Sequence, residues 1–193
     1  EIPLRLVGSE MCIRDRELTY SIFCTAAESG ERIGTVHISV EATTVGSGIL
    51  LSQDVDIYEG ETAAETVVRM LQNNGYSVDY TGNYETGFYL ARISSESNFV
   101  TGNIPEDLRT KLEEHGFEIY DFTPNSLGDY DFTKGSGWMY QVNGVYPNYG
   151  LSDYCFQNGD TLRLRFTLAY GACLFYTSPS PRDVEESRMP SSA

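Results

Sequence analysis

The chain has 193 residues, 40% of them apolar, which suits one packed domain with loose ends and excludes wholesale disorder. Its 28 acids face 13 bases, and a net charge of −15 excludes phosphate backbones and anionic membranes as natural partners, since both would be repelled. No apolar run reaches the roughly 18 residues of a membrane span, and no complete signal peptide is visible, because the short stretch 18–27 is too polar for its apolar core.

In chain order, residues 34–45 alternate Val36, Ile38 and Val40 with polar neighbours, the pattern of a half-buried strand. A shorter strand is predicted over 55–58. Acids at Glu59 and Glu61 then open a helix with Ala64, Val67, Val68 and Leu71 at helical spacing, stopped by Asn73-Asn74-Gly75. Strands follow at 76–80 and 88–93. A second helix begins near Pro105, buries Leu108 and Leu112, and ends at Gly116. A strand is expected at 117–122. Residues 137–146 read as a hairpin turning at Asn143-Gly144, a pair that accepts positive φ. A turn at Asn158-Gly-Asp160 leads into a last strand, in which Leu162, Leu164, Phe166 and Leu168 alternate with Arg163 and Arg165. The expected class is α+β: a mostly antiparallel sheet with two helices packed on one face, β-grasp-like.

The two ends look foreign to this pattern. Residues 6–16 and 173–183 resemble translated sequencing adapters, and codons exist that make 6–15 the reverse complement of 173–183, apart from Phe175. The expected division is therefore 1–16 as adapter artefact, 17–32 as linker or last strand of a preceding module, 33–171 as the domain, and 172–193 as adapter artefact and disordered tail. The natural protein is expected to be longer at both ends. Residues 17–171 carry 8 bases and 22 acids, a balance of −14, so the acidity belongs to the domain. Residues 18–24 can also be laid on 162–168, either as the last strand of a preceding copy or as an ordinary linker. Setting aside Cys12 and Cys173 leaves Cys24 and Cys155, which could pair in an oxidising compartment.

Little in the sequence suits catalysis. His37 and His115 are read as structural, and metal-binding, P-loop and nucleophile-elbow motifs are missing from the sequence. Asp129 and Asp131 are weak calcium candidates without an EF-hand loop. Asp54, Asp56, Glu59 and Glu61 read as a solvated edge and a helix start. The chain is expected not to be an enzyme, and no cofactor is assigned. Its surplus is tyrosine, with 14 Tyr against 9 Phe and 1 Trp. Tyr combines a flat apolar ring with a polar tip, which serves recognition surfaces as well as strands.

The densest signal is Gly135-Ser-Gly-Trp-Met-Tyr-Gln-Val-Asn-Gly-Val-Tyr-Pro-Asn-Tyr-Gly150, followed by Tyr154 and Gly159-Asp160. It resembles the transcobalamin-like C-terminal domain, a bacterial family of unknown function, with the likeness extending over most of 34–171. The resemblance implies an extracellular or cell-surface, non-catalytic, ligand-binding module of a larger Gram-positive protein. The ligand would be corrinoid-like or a glycan, or the partner a cell-surface protein. In the vertebrate cobalamin carriers a related domain closes over a corrinoid, and Trp138, the Gly150 region and Tyr154 have counterparts at its ligand-facing end. The carriers' helical domain has no counterpart here, and the insert 98–122 is not placed on them. The candidate ligand-binding residues are Trp138, Tyr140, Asn143, Tyr146, Asn148, Tyr149 and Tyr154. The alternatives are a structural spacer or protein-interaction module, or an accessory domain of a larger extracellular enzyme; as a spacer, the domain would use Trp138, Tyr140 and Tyr154 as core.

Overall fold

A computed structural model of the chain describes residues 30–96 and 103–172. The adapter-like segments 1–16 and 173–193, the segment 18–27 and Cys24 lie outside the described residues. The described part is α+β. Seven strands, β1 (Arg32–Ala42), β2 (Gly48–Tyr58), β3 (Ser77–Thr81), β4 (Tyr89–Ser94), β5 (Ser126–Gly128), β6 (Gly137–Val142) and β7 (Thr161–Thr167), accompany two helices, α1 (Ala63–Asn73) and α2 (Glu106–Glu114).

The larger sheet has the order β2-β1-β7-β6. Its outer pairs β1–β2 and β6–β7 are antiparallel, and the central pair β1–β7 is parallel. A parallel central pair cannot be joined by a tight turn, so the chain between them must cross over, and α1 lies on that crossover. This arrangement is β-grasp-like, as expected. A smaller antiparallel sheet, β3-β4-β5, is inserted along the same crossover.

Alternation decides the two faces of the larger sheet. Leu162, Leu164, Phe166 and Leu168 are at most 1% exposed and join Val36, Ile38 and Val40 in one core. Helix α1 adds Ala64, Val67, Val68, Met70 and Leu71 to it. A capping box fixes where α1 starts: the Glu65 amide donates to Thr62 Oγ1 (3.3 Å), and the Thr62 amide donates to Glu65 Oε2 (2.8 Å). Glu61, one residue earlier, instead accepts from Arg69 Nε at 2.8 Å. The opposite sheet face is polar, with His37, Ser39 and Glu41 on β1 beside Arg163 and Arg165 on β7.

Three expected elements differ. Residues 117–122 do not form a strand. They meet 131–132 through the bonds Tyr120 N to Phe132 O (2.6 Å) and Phe132 N to Asp121 O (3.4 Å). Tyr130 and Phe132 both have positive φ, 65° and 69°, and a regular ladder cannot pass through such residues. The return arm of the hairpin shrinks to a single bridge, Val142 to Val145. Pro147, which follows closely, has no amide to extend the ladder, and β6 takes β7 as its partner instead. The turn itself stands, with φ of 51° at Asn143 and 81° at Gly144. Strand β2 is also far longer than the expected 55–58, starting at Gly48.

Candidate ligand-binding site

The seven candidate residues divide among three environments. Trp138 is 7% exposed, in the core. It points to the same side of the sheet as Phe166, its cross-strand neighbour, with ring centroids 5.3 Å apart in an edge-on contact. Its indole Nε1 donates to the Leu127 carbonyl at 2.9 Å, tying β6 to β5 of the smaller sheet. The ring and its polar handle are both engaged internally, so Trp138 belongs to the packing and not to an open ligand surface.

Tyr140, two residues on, lies at the sheet edge, half-buried, and its hydroxyl donates to the Tyr149 carbonyl. This bond holds the 146–154 loop against β6. Burial and the nearby Tyr149 and Asp153 push its phenol up to about 12. Tyr149 is 43% exposed and lies nearly parallel to Tyr154, with centroids 5.6 Å apart and planes 16° from parallel. Tyr154 meets Phe156 edge-on on its way to the core, and its carbonyl accepts from the Ala63 amide at the start of α1 (2.7 Å). The loop end is set by a short 3-10 turn, Leu151–Asp153, whose Asp153 carboxylate accepts from the Gly150 amide at 3.1 Å.

Asp160, which the sequence shows as the end of the Gly159-Asp160 turn and not as a candidate site residue, organises this end. Its carboxylate accepts from Asn143 Nδ2 (2.8 Å), the Tyr154 hydroxyl (2.8 Å) and the Gln157 amide (2.9 Å). Burial raises Asp160, but the bonds from Asn143, Gln157 and Tyr154 outweigh it and hold the carboxyl below its ordinary value. The same contact works the other way on Tyr154: burial, the bond to Asp160 and its charge push the phenol up to about 12. Asn143 also grips β7 directly, its Oδ1 accepting from the Thr161 amide at 2.9 Å. Asn143 is thus a clamp between the turn and β7. The signal for Asp160 was present in the Asn-Gly-Asp turn, but its partners come from three separate segments.

Tyr146 turns to the polar face, where its hydroxyl accepts from Arg165 Nη1 at 3.1 Å. Asn148 is exposed beside Tyr149. The structure therefore brings Tyr140, Asn143, Tyr149 and Tyr154 into one hydrogen-bonded, aromatic end of the sheet, with Asn148 at its rim. It places Trp138 beneath and Tyr146 on the other face.

The remaining titratable candidates are engaged in the fold. Asp131 is 3% exposed and takes Arg92 Nη1, the Gly128 amide (2.8 Å) and the Thr123 amide (2.9 Å). Asp129 accepts from the Tyr89 hydroxyl at 2.8 Å. A carboxylate already paired with a guanidinium is a poor calcium ligand, and no cluster of three or more metal-ligating side chains occurs among the described residues. His115 Nδ1 lies 2.7 Å from the Lys111 carbonyl at the end of α2, as a structural histidine would. No described helix is long and apolar enough to cross a membrane.

The chain matches the family described as Domain of unknown function (DUF4430) over residues 117–167. No curated protein matches it in sequence. Among solved structures it is similar to haptocorrin in complex with Cbi, at 13% identity and a TM-score of 0.39, over 70% of this chain and 25% of haptocorrin. It is also similar to a protein from Ruminococcus gnavus ATCC 29149 provisionally assigned as metal binding, at 13% identity and a TM-score of 0.36, over 71% of this chain and 99% of that one. The chain thus spans about a quarter of the length of haptocorrin.

Proposed function

We propose that the domain is a non-catalytic recognition module of a larger extracellular or cell-surface protein, binding through the tyrosine end of its sheet. The observation that carries this reading is the Tyr149–Tyr154 pair. Tyr149 is 43% exposed, yet it is stacked on Tyr154 and its carbonyl is held by Tyr140. An exposed ring fixed before binding loses little conformational freedom when a ligand covers it. Flat rings flanked by hydroxyl and amide groups suit a ring-bearing ligand, such as a sugar or a corrinoid-like macrocycle, that stacks and is oriented by hydrogen bonds. The net charge of −15 disfavours anionic ligands, so a neutral or cationic one is favoured.

The test is calorimetric titration of the chain with neutral glycans, cell-wall fragments and cobinamide. Tyr149→Ala is expected to weaken binding of the responding ligand at least about tenfold, within the range assigned to buried interface aromatics, with the unfolding midpoint unchanged. Absence of heat from every probe, together with unfolding by Tyr149→Ala, would favour a second reading. In that reading the domain is a spacer whose aromatic loop serves folding, as the internal engagement of Trp138 already does.

A further inference from the structure

On the polar face of the larger sheet, three side chains stand in a row. His37 Nδ1 lies 2.7 Å from Asp54 Oδ1, and His37 Nε2 lies 3.1 Å from Ser52 Oγ. The protons of this row follow from the partners. A carboxylate only accepts, so Nδ1 carries the hydrogen toward Asp54. In the neutral ring with its hydrogen on Nδ1, Nε2 accepts and the Ser52 hydroxyl donates to it. This is the order of groups that activates a serine: carboxylate, imidazole, hydroxyl.

The backbone explains why they meet. His37 is opposite Asp54, and Ser39 is opposite Ser52, in the β1–β2 register. The His37 amide donates to Asp160 O at 2.9 Å, so the peptide groups of His37 turn toward β7. Asp54 and Ser52 therefore occupy non-hydrogen-bonded pairs, where facing side chains approach most closely, and their own peptide groups point off the free edge of β2. The flanks of that edge are covered by side chains: Tyr76 Oη donates to Leu50 O (3.4 Å), Arg69 Nη2 to Asp56 O (2.7 Å), and Glu61 Oε2 accepts from the Tyr58 amide (3.3 Å). Between these covers Ser52 and Asp54 are exposed, and among the described residues no group bonds their edge-facing peptide atoms. The amide of Ser52 thus points off the free edge of β2 and is the candidate donor to the oxyanion that forms on an ester's carbonyl oxygen when Ser52 Oγ adds to it.

We propose that Ser52 is a reactive nucleophile that accepts an acyl group from activated esters, with His37 as general base and Asp54 as the residue that positions the imidazole. Ser52 Oγ forms a bond to the carbonyl carbon of an aryl ester while its proton passes to His37 Nε2. The carbonyl carbon–aryl oxygen bond then breaks, the electron pair leaves on the aryl oxygen, and His37 returns the proton to it. The products are acyl-Ser52 and a phenol. The site is open to water, with His37 48% and Asp54 75% exposed in their side chains, and it has one candidate amide donor. It therefore suits donors with good leaving groups and not amides. This inference is independent of the recognition reading, since it uses a different face and none of the tyrosines.

The test treats the full chain with 4-nitrophenyl acetate and, separately, with a fluorophosphonate probe, and maps adducts by peptide mass. The expected result is one adduct, on Ser52, with nitrophenolate released in equal amount. His37→Gln keeps a hydrogen-bonding side chain but no base, and is expected to slow labelling at least about a hundredfold, the scale of general-base assistance. Asp54→Ala is expected to slow it, and Asp54→Glu to recover most of the loss. All three residues are exposed, so unfolding midpoints should stay close to that of the parent. Labelling of Ser52 at an equal rate in His37→Gln, or no Ser52 adduct above the Ser52→Ala background, overturns the proposal.

Discussion

Asn143 donates through Nδ2 to Asp160 Oδ1 at 2.8 Å, so a residue at a turn with positive φ is locked to the first carboxylate before β7. The other carboxylate oxygen takes the Tyr154 hydroxyl and the Gln157 amide. Asp160→Ala removes all three bonds at once. It is expected to lower stability by about 2 kcal/mol, the range for bonds to a charged acceptor, read as a lower denaturant midpoint at unchanged slope. Tyr154, relieved of the carboxylate, is expected to ionise below about 12, followed by its ultraviolet absorbance in an alkaline titration. An unmoved midpoint would show that Asp160 does not organise this end.

The turn next to this clamp should depend on glycine for conformation and not for space. Gly144 has φ of +81°, and a Cβ built there meets nothing within 4 Å. Any loss in Gly144→Val is then the cost of a branched side chain in the left-handed region, on the order of 1–2 kcal/mol. Equilibrium urea unfolding of Gly144→Val and Gly144→Ala measures it, and both should lose stability, the β-branched variant more.

The regular parts of this fold were legible because one residue's neighbours decided them. Leu162, Leu164 and Phe166 alternate with Arg163 and Arg165, and Ala64, Val67, Val68 and Leu71 keep helical spacing, so a strand and a helix were readable without any partner. The first half of β2 was not. Gly48 through Gln53 lie on a sheet edge with both faces partly exposed, leaving no clean alternation to read. The site was half legible for a related reason. Aromatic rings in a Gly- and Asn-rich loop pointed to Tyr149 and Tyr154, but a ring suits a core as well as a surface. Trp138 was assigned inward by Phe166 and the Leu127 carbonyl, which lie 28 and 11 residues away. The row Ser52, His37 and Asp54 needed the β1–β2 register, which no local pattern supplies.

The polar face of the sheet should make the domain sensitive to acid. Glu41 is 5% exposed; its carboxylate accepts from Arg163 Nε and Nη2, both at 2.7 Å, and from Ser39 Oγ at 2.8 Å. Arg165 Nε lies a further 3.5 Å away from it. Burial raises Glu41, but the bonds from Arg163 and Ser39 and the charges of Arg163 and Arg165 outweigh it, so its carboxyl sits below the ordinary 4.5. Between that lowered value and 4.5 the unfolded chain binds more protons than the folded one. The stabilisation is therefore complete above the ordinary carboxylate range and is lost as pH falls through the folded value. Glu41→Gln is expected to reduce stability at pH 7 and to flatten the fall in unfolding midpoint between about pH 5 and pH 2. A parallel pH profile in the variant would assign the acid sensitivity elsewhere, with Asp160 the next carboxylate to replace, since it too is held below its ordinary value.

Trp138 gives a direct optical check on the division between core and surface. The residue is 7% exposed and its ring packs edge-on against Phe166, so its emission is expected to be blue-shifted in the folded chain and hardly quenched by iodide. Acid or urea should move it to the red together with the loss of secondary structure, because the ring is released only when β6 leaves β5 and β7. Trp138→Phe keeps most of the apolar volume but leaves the Leu127 carbonyl without its indole donor. An acceptor deprived of its buried partner costs about 1–3 kcal/mol, and the variant's denaturant midpoint should fall accordingly. Titrating the parent with a ligand that covers Tyr149 should change Trp138 emission only slightly, since Tyr149 stacks on Tyr154 and not on the indole. Strong iodide quenching in the folded chain would place the indole on the surface, and the recognition site would then have to be redrawn around it.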